Sequence, residues 1–372
     1  MTNTDEQLFV GVMTGTSMDA IDVVIARFAG SRPTLADCRS QPLDRELREE
    51  LLSVTGDTPL AQVAELDVRM GNALADAVLA TLKQSGVSPE TVHAIGCHGQ
   101  TVYHMTAQRW PATVQLGDPN IIAERTGITT VADFRRRDLA AGGEGAPLAP
   151  AFHRAFFAHP LEDRIVINIG GMANLTYLPA HRGQQLTGFD VGPGNVLMDG
   201  WIAQQRGETL DKDGAWAATG TVDKELLARM RAEPFFALPP PKSTGRDLFN
   251  MNWVLRHIAD GRAIPEGADV QATLCELTAG TIAEAVTQTC AQPQQVMICG
   301  GGAHNKHLMR RLAAHLPQCD IVPTDTLGIG ADWVEAAGFA WLAREALAGR
   351  PANAVSVTGA RHPAVLGGVY HG

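Results

Sequence analysis

The segment Thr14-Gly15-Thr16-Ser17-Met18-Asp19 separates two apolar runs with a turn of small and hydroxyl-bearing residues. Successive backbone N–H groups in such a turn form a concavity that suits phosphate oxygens, here offered by Gly15, Thr16, Ser17 and Met18. Asp19 follows the turn, where a carboxylate could hold Mg²⁺ through its water shell. No Gly-Lys-Ser/Thr closes the segment, which excludes a P-loop. Taken alone, it is equally an ordinary hairpin turn with a solvated aspartate.

A similar turn recurs at Asn168-Ile169-Gly170-Gly171-Met172-Ala173-Asn174. Asn168, Gly170, Gly171 and Asn174 could meet phosphate from a second side. Gly300-Gly301-Gly302-Ala303-His304-Asn305 follows an apolar strand and precedes a helix, a junction at which a phosphate or a flat ring can approach the backbone. A dinucleotide fingerprint starting at Gly300 would need glycine where Asn305 stands, so a dinucleotide is disfavoured. Phe189-Asp190-Val191-Gly192-Pro193-Gly194-Asn195 places a carboxylate on a stiff bend before a helix. Asp190 could serve there as a general base, or Asp190 or Asn195 could simply cap the helix. His98-Gly99-Gln100-Thr101 and the run Asp133 to Asp138, with three arginines, form further polar clusters at strand ends. The arginines suit a carboxylate or phosphate, or a salt-bridged surface loop. Lys242-Ser243-Thr244-Gly245-Arg246 is a binding loop or a basic turn. The twelve histidines show no zinc-binding spacing.

These turns need strands to carry them. Leu8–Met13 and Ile21–Phe28 read as a hairpin, and Arg164–Ile169 with Asn174–Leu178 repeats the pattern, which suggests an internal duplication. Strands are expected at 92–96, 129–132 and 296–299. Helices are expected at 59–85, 121–127, 196–205, 226–231, 272–288, 306–315 and 333–348. The mixture indicates an α/β protein with mixed sheets. A chain of 372 residues exceeds one ordinary core, so two domains are expected, with the Gly- and Pro-rich segment 140–150 as a plausible crossing.

Bulk composition narrows the partners. A net charge of −10 disfavours nucleic acid and anionic membrane as partners. The polar N-terminus carries no signal-peptide pattern, and no apolar run approaches the ~20 residues that cross a bilayer. Six scattered cysteines without a CxxC pair fit buried thiols in a reducing compartment, the cytoplasm.

The ordered set Gly-Thr-Ser-Met-Asp at 15–19, His-Gly-Gln-Thr at 98–101, Ala-Asp-Phe-Arg-Arg-Arg-Asp at 132–138, Asn-Ile-Gly-Gly at 168–171, Phe-Asp-Val-Gly-Pro-Gly-Asn at 189–195, Lys-Ser-Thr-Gly-Arg at 242–246 and Gly-Gly-Gly-Ala-His-Asn at 300–305 resembles the anhydro-N-acetylmuramic acid kinase family. The match runs through nearly the whole chain. The resemblance implies the two-domain actin-like ATPase fold, of the ribonuclease H-like kind, closing on ATP in a central cleft. It divides the chain into 1–135, completed by 360–372, and 136–359. It makes the turns at 15–19 and 168–171 the two phosphate loops, 300–302 the adenosine loop and Asp190 the catalytic base. Thr101, Arg137 and Glu335 lie in motifs similar to those that contact the sugar, Arg137 being a candidate for the lactyl carboxylate. Ala20 departs from the family's usual glycine, which is tolerable only if its φ is negative.

The implied reaction uses ATP, Mg²⁺ and water to open 1,6-anhydro-N-acetylmuramic acid and phosphorylate O6, in peptidoglycan recycling, by a homodimer. The alternatives are an ordinary hexose or amino-sugar kinase, and a nucleotide-driven binding protein of the Hsp70 or actin kind.

Overall fold

The computed structural model describes residues 7–15, 18–30, 32–106, 108–181, 183–260 and 266–372. Two compact units emerge, one made of 1–156 and 333–372 and the other of 157–332.

The first unit opens with β1 (Gln7–Thr14), β2 (Ala20–Phe28) and β3 (Pro33–Pro42), then α1 (Arg45–Ser53), α2 (Leu60–Ser85) and β4 (Val92–Cys97). A small hairpin, β5 (Gln100–Met105) and β6 (Ala112–Leu116), precedes α3 (Pro119–Thr126), β7 (Thr130–Ala132), α4 (Phe134–Ala140) and α5 (Ala149–Phe157). The second unit carries β8 (Arg164–Ile169), β9 (Met172–Leu178), β10 (Thr187–Pro193), α6 (Val196–Arg206), α7 (Lys224–Arg231), α8 (Pro234–Ala237) and α9 (Met251–Ala259). It ends with α10 (Gly267–Thr289), β11 (Gln295–Cys299), α11 (Lys306–His315) and β12 (Asp320–Pro323). The chain then returns to the first unit as α12 (Val334–Leu347), α13 (Val355–Thr358) and β13 (Gly368–Tyr370).

The strand orders are β13-β7-β4-β1-β2-β3 and β10-β9-β8-β11-β12. In each, an antiparallel three-strand meander is extended by parallel strands beside its first member. The first unit adds β13 as an antiparallel edge strand; the five-strand order that the two units otherwise share bears out the repeated hairpin pattern and is the ribonuclease H-like arrangement of an actin-type ATPase.

Alternation along β1 sends Val10 and Val12 to the core formed with Leu66, Met70, Leu74 and Val78 of α2. Gly11 faces the opposite side, paired in register with Gly96 of β4. A Cβ at Gly11 would lie 1.8 Å from the Ala336 carbonyl oxygen, and one at Gly96 would lie 2.0 Å from that of Phe339. The two glycines therefore form a slot in the sheet into which α12 settles at backbone distance. This packing corrects the expected boundaries: 136–156 and 333–359 fold with the first unit rather than the second. The buried Asp138 of α4 reinforces that attachment. Its carboxylate accepts from the Gly145 N–H (2.9 Å), Asn353 Nδ2 (2.9 Å) and Thr358 Oγ1 (3.0 Å), tying the Gly-rich loop to the C-terminal segment.

In the second unit α10 is buried along most of its length. One of its polar residues, Glu276, is satisfied from α11: it accepts from Arg311 Nε at 2.7 Å and lies 2.8 Å from His315 Nε2. All six cysteines are free thiols. Among the described residues no helix is long and apolar enough to cross a membrane.

Candidate active site

Two groups of predicted site residues are assembled, one in each unit. In the second unit the cross-strand register does the assembling. Asn168 on β8 pairs with Asn174 on β9, and Asn174 pairs with Asp190 on β10. Directly opposed residues on neighbouring strands share a face, so two amides and one carboxylate form a row across three strands.

Asp190 lies within β10, not at a helix cap. Its carboxylate is held from the Lys242–Gly245 loop, where Ser243 Oγ (2.9 Å) and the Thr244 N–H (3.0 Å) both donate to Oδ2. The Asp190 N–H donates to the Lys242 carbonyl at 3.1 Å, fixing the backbone as well. Among the described residues no hydrogen bond reaches Oδ1. Burial raises the Asp190 pKa above the ordinary carboxylate value, against the lowering effect of the two donors. An ionised carboxylate with one bound and one unbound oxygen, made more basic by burial, has the form of a general base.

The bend after Asp190 is locked. The N–H groups of Gly194 (2.9 Å) and Val196 (3.1 Å) donate to the Gly171 carbonyl, and that of Asn195 to the Gly170 carbonyl (2.8 Å). Asn195 Nδ2 donates to the Ile169 carbonyl at 3.1 Å and makes no cap bond with α6. From below, Thr278 Oγ1 on α10 lies 3.1 and 3.0 Å from the Pro193 and Gly194 carbonyls. The glycine loop packs on the same turn. A Cβ at Gly194 would lie 2.4 Å from the Gly170 oxygen, and one at Gly302 would lie 2.3 Å from Ile169 Cγ2. Gly300 donates its N–H to Ala331 (2.9 Å), and Gly301 alone of the three is exposed. Asn305 Oδ1 accepts from the Leu308 N–H (3.0 Å) and so caps α11.

In the first unit, Thr16 and Ser17 lie outside the described residues. Met18 takes a left-handed backbone (φ 54°) and donates its N–H to the Gly15 carbonyl at 3.0 Å. Ala20 opens β2 and is not among the positive-φ residues, as its side chain requires. The Asp19 side chain is 68% exposed and its Oδ1 accepts from Arg48 Nη2 on α1 at 2.8 Å. Thr14 Oγ1 donates to Gln100 Oε1 at 2.6 Å, which ties the hairpin end to the His98–Thr101 segment.

Helix α4 sends its three arginines in different directions. Arg135 donates from Nε to His98 Nε2 at 3.0 Å and from Nη1 to the Gly145 carbonyl at 3.1 Å. Arg136 pairs with Asp133, and Arg137 is exposed. His98 also lies against Phe339, with ring centroids 4.7 Å apart. Burial, with the Arg135 charge beside it, pushes the His98 pKa down to about 3, so the ring is neutral. Desolvation lowers Arg135 to about 10, while the Glu335 charge on α12 opposes that fall. Thr101 Oγ1 accepts from Gln115 Nε2 at 3.2 Å. Thr101, Arg137 and Glu335 thus all belong to one unit, although only Glu335 is tied electrostatically to the His98–Arg135 pair.

Sequence reasoning underrated several residues here. Ser243 and Thr244 stood out only as a polar patch after a proline run, and Arg48, Gln115 and Thr278 carried no local signal at all.

Among solved structures, a ROK family glucokinase from Streptomyces griseus in complex with glucose and AMPPNP is 15% identical, with a TM-score of 0.40 over 91% of this chain and 99% of its own. The activator of the 2-hydroxyisocaproyl-CoA dehydratase from Clostridium difficile, with bound ADPNP, is 14% identical, with a TM-score of 0.45 over 90% and 93%. At these levels the likeness adds nothing to what strand order already shows. Sequence comparison is far more specific. A relative from Coxiella burnetii named anhydro-N-acetylmuramic acid kinase is 44% identical over 369 residues, 99% of this chain and 98% of its own. The family model for anhydro-N-acetylmuramic acid kinase matches residues 7–372. The chain belongs to the anhydro-N-acetylmuramic acid kinase family.

Proposed function

We propose that this protein uses ATP to open 1,6-anhydro-N-acetylmuramic acid hydrolytically and phosphorylate its O6, in recycling of the cell wall. The observation that carries the mechanism is the Asp190 carboxylate, anchored through Oδ2 by Ser243 and Thr244 and made more basic by burial. Asp190 takes a proton from water as that water bonds to the anomeric carbon. The bond from that carbon to the bridging oxygen breaks, and the released O6 attacks the γ-phosphorus, yielding N-acetylmuramic acid 6-phosphate and ADP. Positioning and charge neutralisation supply most of the catalysis in such a transfer.

In this reading the Gly15–Asp19 turn and the turn at Asn168, Gly170, Gly171 and Asn174 are each phosphate-binding turns, and Gly300–Gly302 with Asn305 serves the adenosine. Thr101, Arg137 and Glu335 contact the sugar, and the exposed Arg137 suits its lactyl carboxylate. Asp19 would hold a hydrated magnesium ion through its water shell, and that ion would supply charge neutralisation. Asp19 suits that part because it is exposed and, among the described residues, pairs with Arg48 in an ion pair that costs little to exchange. The free thiols and the family suit a cytoplasmic homodimer, whose mass light scattering would measure.

The deciding assay measures ATP consumption with 1,6-anhydro-N-acetylmuramic acid beside the non-anhydro sugar, in ¹⁸O-water. The reading expects turnover with the anhydro sugar and label on C1. Turnover without label would leave an ordinary amino-sugar kinase, and sugar-independent ATP hydrolysis would remove the kinase reading altogether.

A further inference from the structure

A pocket lies in the 157–332 unit. It encloses about 430 Å³, within the roughly 300–1,000 Å³ of small-molecule sites. Tyr177, Phe189, Val191, Phe236 and Leu238 form an apolar wall, and Thr281, Glu284 and Gln288 of α10 face it with polar groups. Phe189 and Val191 flank Asp190 on β10, and strand alternation sends Asp190 to the other face. The pocket is therefore the reverse side of the strand that carries the base, and no step proposed above uses it.

One charge in it is poorly matched. Lys242 lines the pocket, and among the described residues its Nζ donates only to the Phe235 and Phe236 carbonyls, both at 3.3 Å, while resting 4.7 Å from the Phe235 ring centroid. Among the described residues no carboxylate pairs with it. Glu284, which shares the lining, is engaged by Arg231. Burial lowers the Lys242 pKa, as expected of an ammonium whose lost hydration is incompletely replaced. An anion placed in the pocket would complete that compensation, and its apolar part would cover the aromatic wall.

We propose that this pocket is a regulatory site for a small amphiphilic anion, a carboxylate or phosphate monoester on an apolar, amide-bearing body, anchored by Lys242. The route to the active site is short. The Lys242 carbonyl holds the Asp190 N–H, and the next two residues hold the Asp190 carboxylate. A ligand drawing on the Lys242 ammonium shifts the loop that sets the position and basicity of Asp190, so it changes kcat.

The test titrates the unmodified full-length chain by calorimetry with N-acetyl-L-phenylalanine, phenyl phosphate and the neutral N-acetyl-L-phenylalanine amide. At least one anion should bind saturably and at least tenfold tighter than the neutral amide, and which anion wins identifies the head group. Lys242→Met should weaken that binding at least tenfold. Gln288→Trp, at an exposed position on α10, should fill the pocket, abolish binding and leave the basal kinase rate unchanged. Circular dichroism confirms that each variant is folded, and a Lys242→Met chain that fails to fold leaves Gln288→Trp and the neutral probe to decide. Equal affinity for the acid and its amide, undiminished binding in the Gln288→Trp variant, or no saturation up to millimolar concentration would each overturn the site. None of these outcomes depends on which sugar the kinase accepts, so this proposal and the substrate assignment fail separately.

Discussion

The two hairpin turns occupy equivalent places in the two sheets, yet they are held in opposite ways. The turn at Gly170–Gly171 accepts three backbone hydrogen bonds from the bend at 194–196, and Gly194 and Gly302 lie against it with no room for a Cβ. The turn that begins at Gly15 has open space around that residue, and Asp19 beyond it sits exposed in a surface ion pair. One turn is built into the packing around the proposed base, where position would govern rate. In the other, the exposed Asp19 sits in an ion pair that can exchange partners, as the proposed contact with a hydrated ion would require.

The sharpest way to break this contrast is at Asp190. Asp190→Asn should lower kcat by about 10²–10⁴-fold, the usual contribution of a general base, with ATP affinity kept. The same substitution should leave the melting temperature unchanged or slightly raised. The folded-state pKa of Asp190 is raised, so the site favours the uncharged carboxyl, and the stability it lends is present at low pH and lost as pH rises through that pKa. An uncharged amide removes that loss. For the same reason the acid limb of kcat/KM should fall above the ordinary carboxylate pKa, and a limb at the ordinary value would detach Asp190 from the base role.

Next in size comes the locked turn. Gly194→Ala forces a Cβ onto the Gly170 oxygen, and overpacking of this kind costs about 1–3 kcal/mol, readable in urea denaturation. Arg48→Ala should cost less than about 1 kcal/mol, since the ion pair is exposed, but should shift the Mg²⁺ dependence of turnover by releasing Asp19. An unchanged Mg²⁺ profile would separate that pair from metal handling. Smallest is Gly15→Ala, expected within about 0.5 kcal/mol of the parent in stability. A large loss there would show that the first turn is as tightly built as the second.

Much of this was legible in the sequence because it is local. Apolar, β-branched runs broken by turns mark β1, β2, β8 and β9, and helical periodicity marks α2, expected at 59–85 and found at Leu60–Ser85. Other elements were misread for equally physical reasons. The Gly-Pro-Gly that suggested a bend for residues 188–195 hides strand β10, whose pairing with β9 supplies what its own composition lacks. The charged run at 133–138 is helix α4, with Arg135 and Asp138 directed inward by partners distant in sequence.

The sequence by itself determined the hairpins, the glycine turns and, through the order of its motifs, the kinase family. It could not place Asn168, Asn174 and Asp190 in one row, because that depends on the register of three strands. Nor could it assign 333–359 to the first unit, because that follows from Gly11 and Gly96 opening a slot for α12 far along the chain. Local propensity is written in neighbours a few residues apart, whereas register and close backbone packing are settled only when distant segments meet.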